Sequence, residues 1–217
     1  MNKLEFRLND RVLKTLSSSD KKMAMLIHSI GDYELNLRTD YFLSLVRSII
    51  GQQLSVSAAG TIWQRMLRDC KNIRPEVLIS KKDDELRALG ISRTKVTYMK
   101  DLSQKILSGE LNLNLLTGLA DQEVIEQLVK IKGIGVWTAE MFLIFSLGRM
   151  NVFSIGDVGL KRAIQWLYES EPMINDEEIM KHAKKWVPYR SVASLYLWEI
   201  INRGLIKSDP GNLKPKT

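Results

Sequence analysis

Asp157 stands in the run Phe153-Ser154-Ile155-Gly156-Asp157-Val158-Gly159-Leu160, just before Leu160, Ala163, Ile164 and Leu167 recur at helical spacing. An acidic residue in that place is first of all an N-cap, worth about 0.5–2 kcal/mol. It also meets the positive end of the helix dipole, which favours its ionised form. Such a carboxylate suits stabilising a positive charge better than donating a proton. Upstream, Gly133-Ile134-Gly135 separates two apolar-periodic segments, and a tight turn of this kind is easiest for glycine. The turn brings backbone N–H groups to the start of the second helix, where an anion such as a phosphate binds without base readout. Ile134 is expected to point inward and fasten the turn, with Lys130 and Lys132 adding charge beside it. A bare Gly-x-Gly is better explained by a plain helix connection. The full pattern L-x-x-I-x-G-I-G-x-W-T-A, Leu128 to Ala139, is far more specific.

Other chemistries have little to stand on. Cys70 is the one cysteine, so no disulfide within the chain and no four-thiolate iron–sulfur cluster is possible. His28 and His182 lack zinc spacing. The net charge of +7, from 32 basic and 25 acidic residues in 217, is compatible with a polyanionic partner but also with simple solubility. The charged N-terminal MNKLEFRLNDR has no signal-peptide apolar run, and no stretch approaches the roughly 20 apolar residues of a membrane span. The expected location is the cytoplasm, or the nucleus of a cell that has one.

The elements that must position these residues read as helices. Apolar residues fall at helical spacing from Asp20 to Ile30 and from Asp40 to Gln53. Ser55 caps a helix reaching about Cys70; Asp83 to Leu89 ends at Gly90, and Ser92 to Leu107 ends at Ser108-Gly109. Asp121 opens a helix with Val124, Ile125, Leu128 and Val129 on one stripe; Val136 to Leu147 follows the glycine turn. Asp157, Asn175 to Trp186 and Ser191 to Asn202 supply the last three, with strand signals scarce and none at the N-terminus. The expected fold is all-α: about ten short helices in a single domain over 1–217, with a flexible basic tail over 207–217.

The hairpin segment, Leu128 to Glu140, resembles the helix-hairpin-helix motif of the base-excision DNA glycosylases. Ile49 to Ala59 (IIGQQLSVSAA) and Trp186 to Glu199 (WVPYRSVASLYLWE) are similar to stretches of the DNA-3-methyladenine glycosylase II (AlkA-type) branch, so the likeness runs from about Asp40 to Asn202. The resemblance implies two lobes flanking a cleft with the helix-hairpin-helix motif at about 121–147, and a monofunctional hydrolase of the N-glycosidic bond of alkylated purines in duplex DNA, acting by base flipping. It makes Asp157 the catalytic residue. It places Trp137, Met141 and Trp198 at the base pocket, where aromatic faces attract a cationic base. Gln53 or Leu54 becomes the wedge that fills the vacated stack. Lys132, Gly133, Ile134, Gly135, Val136 and Thr138 become the phosphate grip.

No cofactor is implied, beyond a monovalent ion at the hairpin when DNA is bound, and a monomer is expected. Lyase-competent relatives carry a lysine where Trp137 stands, and an indole forms no Schiff base. The chain departs from the family in Ser154, where proline is usual, in Asn151, where aspartate is frequent, and in Met141, where tyrosine is frequent. Asp157 is therefore the only acid in its segment, and the pocket is less aromatic. Both tryptophans are also explained by core packing, and Gln52 and Gln53 by helix-end capping. The competing functions are a non-catalytic hairpin module, an oxidised-base glycosylase with lyase activity, and a helical interaction protein.

Overall fold

The computed structural model describes residues 3–169 and 174–213. In chain order the elements are β1 (Lys3–Phe6), α1 (Arg11–Ser19), α2 (Lys21–Ile30), β2 (Tyr33–Asn36), α3 (Tyr41–Gly51), α4 (Val56–Cys70), α5 (Pro75–Ser80), α6 (Asp83–Ala88), α7 (Arg93–Leu107), α8 (Asp121–Leu128), α9 (Val136–Phe145), α10 (Val158–Tyr168), α11 (Asp176–Lys185) and α12 (Arg190–Asn202). Single turns of 3-10 helix follow α7 (Leu113–Gly118) and α12 (Leu205–Lys207, Pro210–Asn212). The all-α class with its helical hairpin is what the structure shows.

The helices begin where short polar side chains can take over orphan N–H groups. Asp40 accepts from Leu43 N, Ser55 from Ala58 N, Ser92 from Lys95 N and Asn175 from Glu178 N. Glu123 reaches back to the N–H of Ala120 at 2.7 Å at the start of α8. The stripe expected on α8 is narrower than its sequence: Val124 and Leu128 are buried, but Val129 lies one residue past the helix and is exposed. The helix stops there because the chain must turn into the hairpin.

Two short strands correct the expectation of none. β1 and β2 pair antiparallel, Lys3 opposite Asn36 and Phe6 opposite Tyr33. Phe6 and Leu35 are buried while Lys3, Glu5 and Glu34 face water. Strands of four residues whose partners lie 27 to 33 positions apart carry no hairpin signal.

Residues Met1–Leu37 with Gly148–Thr217 form one compact unit, and Arg38–Leu147 form another. In the first, Leu13, Leu16, Leu26, Ile27 and Ile164 are fully or almost fully buried, as is Trp186. Buried Asp20 ties this core together. It accepts from Lys22 N and Met23 N as the cap of α2, and from the Tyr168 hydroxyl and Trp186 Nε1. A buried carboxylate is tolerable when its lone pairs are filled in this way. Burial, with the Asp20 carboxylate second, pushes the Tyr168 phenol well above its ordinary range. The segment expected as a tail is held up to residue 213: its first residues form the 3-10 turns, and Trp166 Nε1 donates to Ser208 O at 2.7 Å. Residues 214–217 lie outside the described residues.

In the second unit the core comes from α3, α7, α8 and α9, with Leu45, Val46, Ile49, Met99, Leu128 and Leu143 almost fully buried. Among the described residues no helix is long and apolar enough to cross a membrane.

Candidate active site

Asp157 occupies the N-cap of α10 with extended backbone, and its Oδ1 accepts the N–H of Leu160 at 2.8 Å. The same oxygen accepts the indole N–H of Trp198 at 3.2 Å. The residue is 8% exposed. Two N–H donors on one carboxylate oxygen fix its direction. The capping and catalytic roles expected of Asp157 are therefore compatible in one geometry.

The loop leading to Asp157 is held by the start of α12. Ser191 receives the loop from both sides: its N–H donates to Met150 O at 3.0 Å and its hydroxyl donates to Val152 O at 3.2 Å, while Val152 N donates to Ser191 Oγ at 2.8 Å. Arg190 Nε donates to Asn151 Oδ1 at 2.9 Å. Phe153 packs against Trp186, ring centroids 5.9 Å apart, and Ser154 is fully buried. Space at Gly159 is tight: a Cβ there would lie 3.0 Å from Asp157 Oδ1 and 3.6 Å from Trp198 Cδ1, so the carboxylate would have to give slightly. Nothing in the sequence pointed to Arg190 as a partner of Asn151, or to Ser191 and Gly159. Their bonded partners are 39 or more residues away, or are revealed only by packing.

Trp198 thus stands beside the carboxylate, in the same unit. Trp137 and Met141 stand on α9, in the other. Trp137, 46% exposed, presents its ring to the surface, and Met141, one turn on, is 7% exposed.

The hairpin turn in that second unit is built as the sequence required, with one correction. Ile131 N bonds Leu128 O and Ile134 N bonds Ile131 O, both at 3.1 Å, and Ile134 is buried. Gly133 has φ +79°, and a Cβ there would overlap the Tyr98 ring. Gly135 is different: its φ is −96°, open to any residue, and a Cβ would meet nothing within 4 Å. The second glycine is not forced by the backbone. It leaves bare surface at the start of α9, where the first N–H groups lack intrahelical partners and an anion can approach. Val136, 55% exposed, flanks that surface. Two members of the expected phosphate grip have surroundings of their own. Lys132 donates its N–H to Asp101 Oδ2 at 2.9 Å and its ammonium lies 3.8 Å from Oδ1; the Thr138 side chain is buried.

The junction between α3 and α4 lies in the same unit. Gln52 Nε2 donates to Gly133 O at 2.7 Å, joining the junction to the turn. Gln53 adopts φ +56°, a left-handed conformation uncommon for a side chain of its size. Leu54 is 39% exposed and Val56 beyond it is exposed. Among the described residues no cluster of three or more His, Cys, Asp or Glu side chains could hold a metal ion.

The chain thus combines a helical hairpin with an N-cap carboxylate twelve residues past the end of its second helix. The family profile described as the HhH-GPD superfamily of base excision DNA repair proteins matches residues 46–189. The chain belongs to that superfamily. It is similar to the solved DNA-3-methyladenine glycosidase of Bacillus halodurans, at 37% identity and a TM-score of 0.86 over 95% of this chain and 96% of that one. It is also similar to the 3-methyladenine DNA glycosylase Mag1 of Schizosaccharomyces pombe, solved in complex with abasic DNA, at 28% identity and a TM-score of 0.80 over 89% of this chain and 97% of that one. Bacillus subtilis YfjP is 35% identical over 165 residues, which are 72% of this chain and 58% of that longer one.

Proposed function

We propose that the protein is a monofunctional DNA glycosylase that frees alkylated purines, 3-methyladenine foremost and 7-methylguanine with it, from duplex DNA. The observation that carries the reading is the Asp157 carboxylate held by the Leu160 and Trp198 N–H groups at the head of α10. Methylation at N3 or N7 makes the base cationic. The C1′–N bond breaks with its electron pair going to the base, which departs neutral without needing a proton. The sugar is left as an oxocarbenium-like cation, which an ionised Asp157 stabilises. Water then adds at C1′ and gives up a proton, with the carboxylate placed to accept it.

The remaining parts follow from the same reading. The turn at Gly133 and Gly135 grips a phosphate, Leu54 enters the gap left by the everted nucleotide, and Trp137 and Trp198 offer ring faces to the cationic base. An indole at 137 forms no Schiff base, so the product is an intact abasic site. The chemistry uses no metal; a monovalent ion at the hairpin carbonyls would assist DNA binding alone. The protein works as a monomer in the compartment that holds the DNA.

Purified protein incubated with methylated duplex is expected to release 3-methyladenine, identified by chromatography, at a rate unchanged by a chelator. Borohydride should trap no covalent protein–DNA adduct. Release of oxidised bases in place of methylated ones, or a trapped adduct, would overturn the assignment.

A further inference from the structure

The helix α7 has no part in the function proposed so far, yet three of its side chains hold the two segments read as DNA-engaging. Lys95 Nζ donates to Ile50 O at 2.8 Å and Gln52 O at 2.6 Å, closing the C-terminus of α3 at the point where the Gln52–Leu54 loop departs. Tyr98, one turn on, packs its ring against Gly133 so closely that no side chain fits there. Asp101 accepts the N–H of Lys132, the first residue of the turn. Gln52 then links loop to turn through Gly133 O. All of these groups belong to the unit Arg38–Leu147.

We infer that α7 is a strut that locks the wedge loop and the hairpin turn into one preorganised DNA-engaging surface, with Lys95 as the positioning residue of the loop. Three considerations converge on Lys95. First, an ammonium on the last carbonyls of a helix meets the negative end of its dipole. Second, among the described residues Lys95 has no carboxylate partner, so its bonds to those carbonyls are not shared with an ion pair. Partial burial lowers its pKa, which a merely solvated lysine would not show. Third, the restraint has something to restrain. Gln53 holds a left-handed backbone that persists only where its surroundings impose it, and the groups on its N-terminal side are those that Lys95 and Gly133 O fix. A wedge must enter the stack without first being ordered. A loop fixed in advance avoids losing that conformational freedom at the moment of base eversion.

The inference rests on the reading of turn and loop as the parts that meet DNA, so its test has one arm independent of function. Lys95→Met keeps the length of the stem and removes the donors. In the free full-length variant, amide hydrogen exchange over residues 50–55 is expected to rise at least roughly tenfold, with little change in α10 and α12. The preference for a duplex with a tetrahydrofuran abasic analogue over an undamaged duplex is expected to fall by about tenfold, because only the former needs the wedge seated. Affinity for the undamaged duplex, which needs only the phosphate grip, should stay within roughly threefold. Lys95→Arg, which keeps charge and donors, should restore most of the preference. Unchanged exchange over 50–55, an unchanged preference, or an equal loss of both affinities would overturn the strut. Failure of the wild type to release any base would sink the proposed activity alone, since the exchange arm still reports on Lys95.

Discussion

Replacing Asp157 by asparagine is expected to lower single-turnover release of 3-methyladenine by roughly 10²–10⁴-fold at neutral pH, the range associated with loss of a positioned charge or general base. Affinity for a duplex carrying a tetrahydrofuran abasic analogue should change by no more than about threefold, because the neutral analogue makes no demand on the carboxylate. The substitution isolates charge from fold. Asparagine is as good an N-cap as aspartate, and its Oδ1 can keep both the Leu160 N–H and the Trp198 indole N–H. Thermal stability should move little, as followed by circular dichroism. Gel-based cleavage at abasic sites after alkali reads the rate. Equal losses of release and binding would mean that the residue is structural.

The second large effect is expected at Gly133. Alanine there meets two obstacles. The residue has φ +79°, which costs an L side chain about 1 kcal/mol, and its Cβ falls inside the Tyr98 ring. Overpacking of a fitted site adds roughly 1–3 kcal/mol, so Gly133→Ala should cost about 2–4 kcal/mol of stability in denaturant unfolding. Relief comes only by moving the ring or the turn. Displacing the start of α9 would remove charge-assisted phosphate bonds, weakening duplex affinity at least roughly tenfold. Gly135→Ala is the built-in comparison, since the backbone there is ordinary and a Cβ meets nothing. It should leave stability within about 0.5 kcal/mol and report on phosphate approach alone. Similar destabilisation by both substitutions would show that the turn is not built as described.

What the sequence disclosed and what it hid follow from one distinction. Local signals were legible. Ser55, Ser92 and Asn175 cap the helices that their positions announced, and the hairpin runs from Asp121 to Phe145 much as its pattern required. The caps lie within three residues of what they bond, so the information is in the run itself. Long-range partners were not legible. The Asp157–Trp198 bond spans 41 residues, Ser191 lies 39 from Val152, and Gln52 lies 81 from Gly133. No periodicity encodes such pairs. Trp198 read as pocket wall or core, and its N–H turned out to bond the carboxylate. Lys132 read as charge beside the turn, and its bond to Asp101, 31 residues away, has no local signal. The paired strands carry no local signal because four-residue strands take their stability from the core they cover, whereas the helix Arg11–Ser19, not among the expected helices, does place Leu13 and Leu16 at helical spacing.

Asp157 is expected to act through its charge on a cationic sugar. The most direct measurement compares two duplexes that differ only at the abasic position, one with a cationic pyrrolidine analogue and one with the neutral tetrahydrofuran, bound to the wild type and to Asp157→Asn. The wild type is predicted to hold the cationic duplex tighter by at least roughly tenfold, as an enzyme complementary to a charged transition state should. The variant is predicted to bind the two about equally. The same preference in both proteins would place the stabilising charge elsewhere and contradict the assignment.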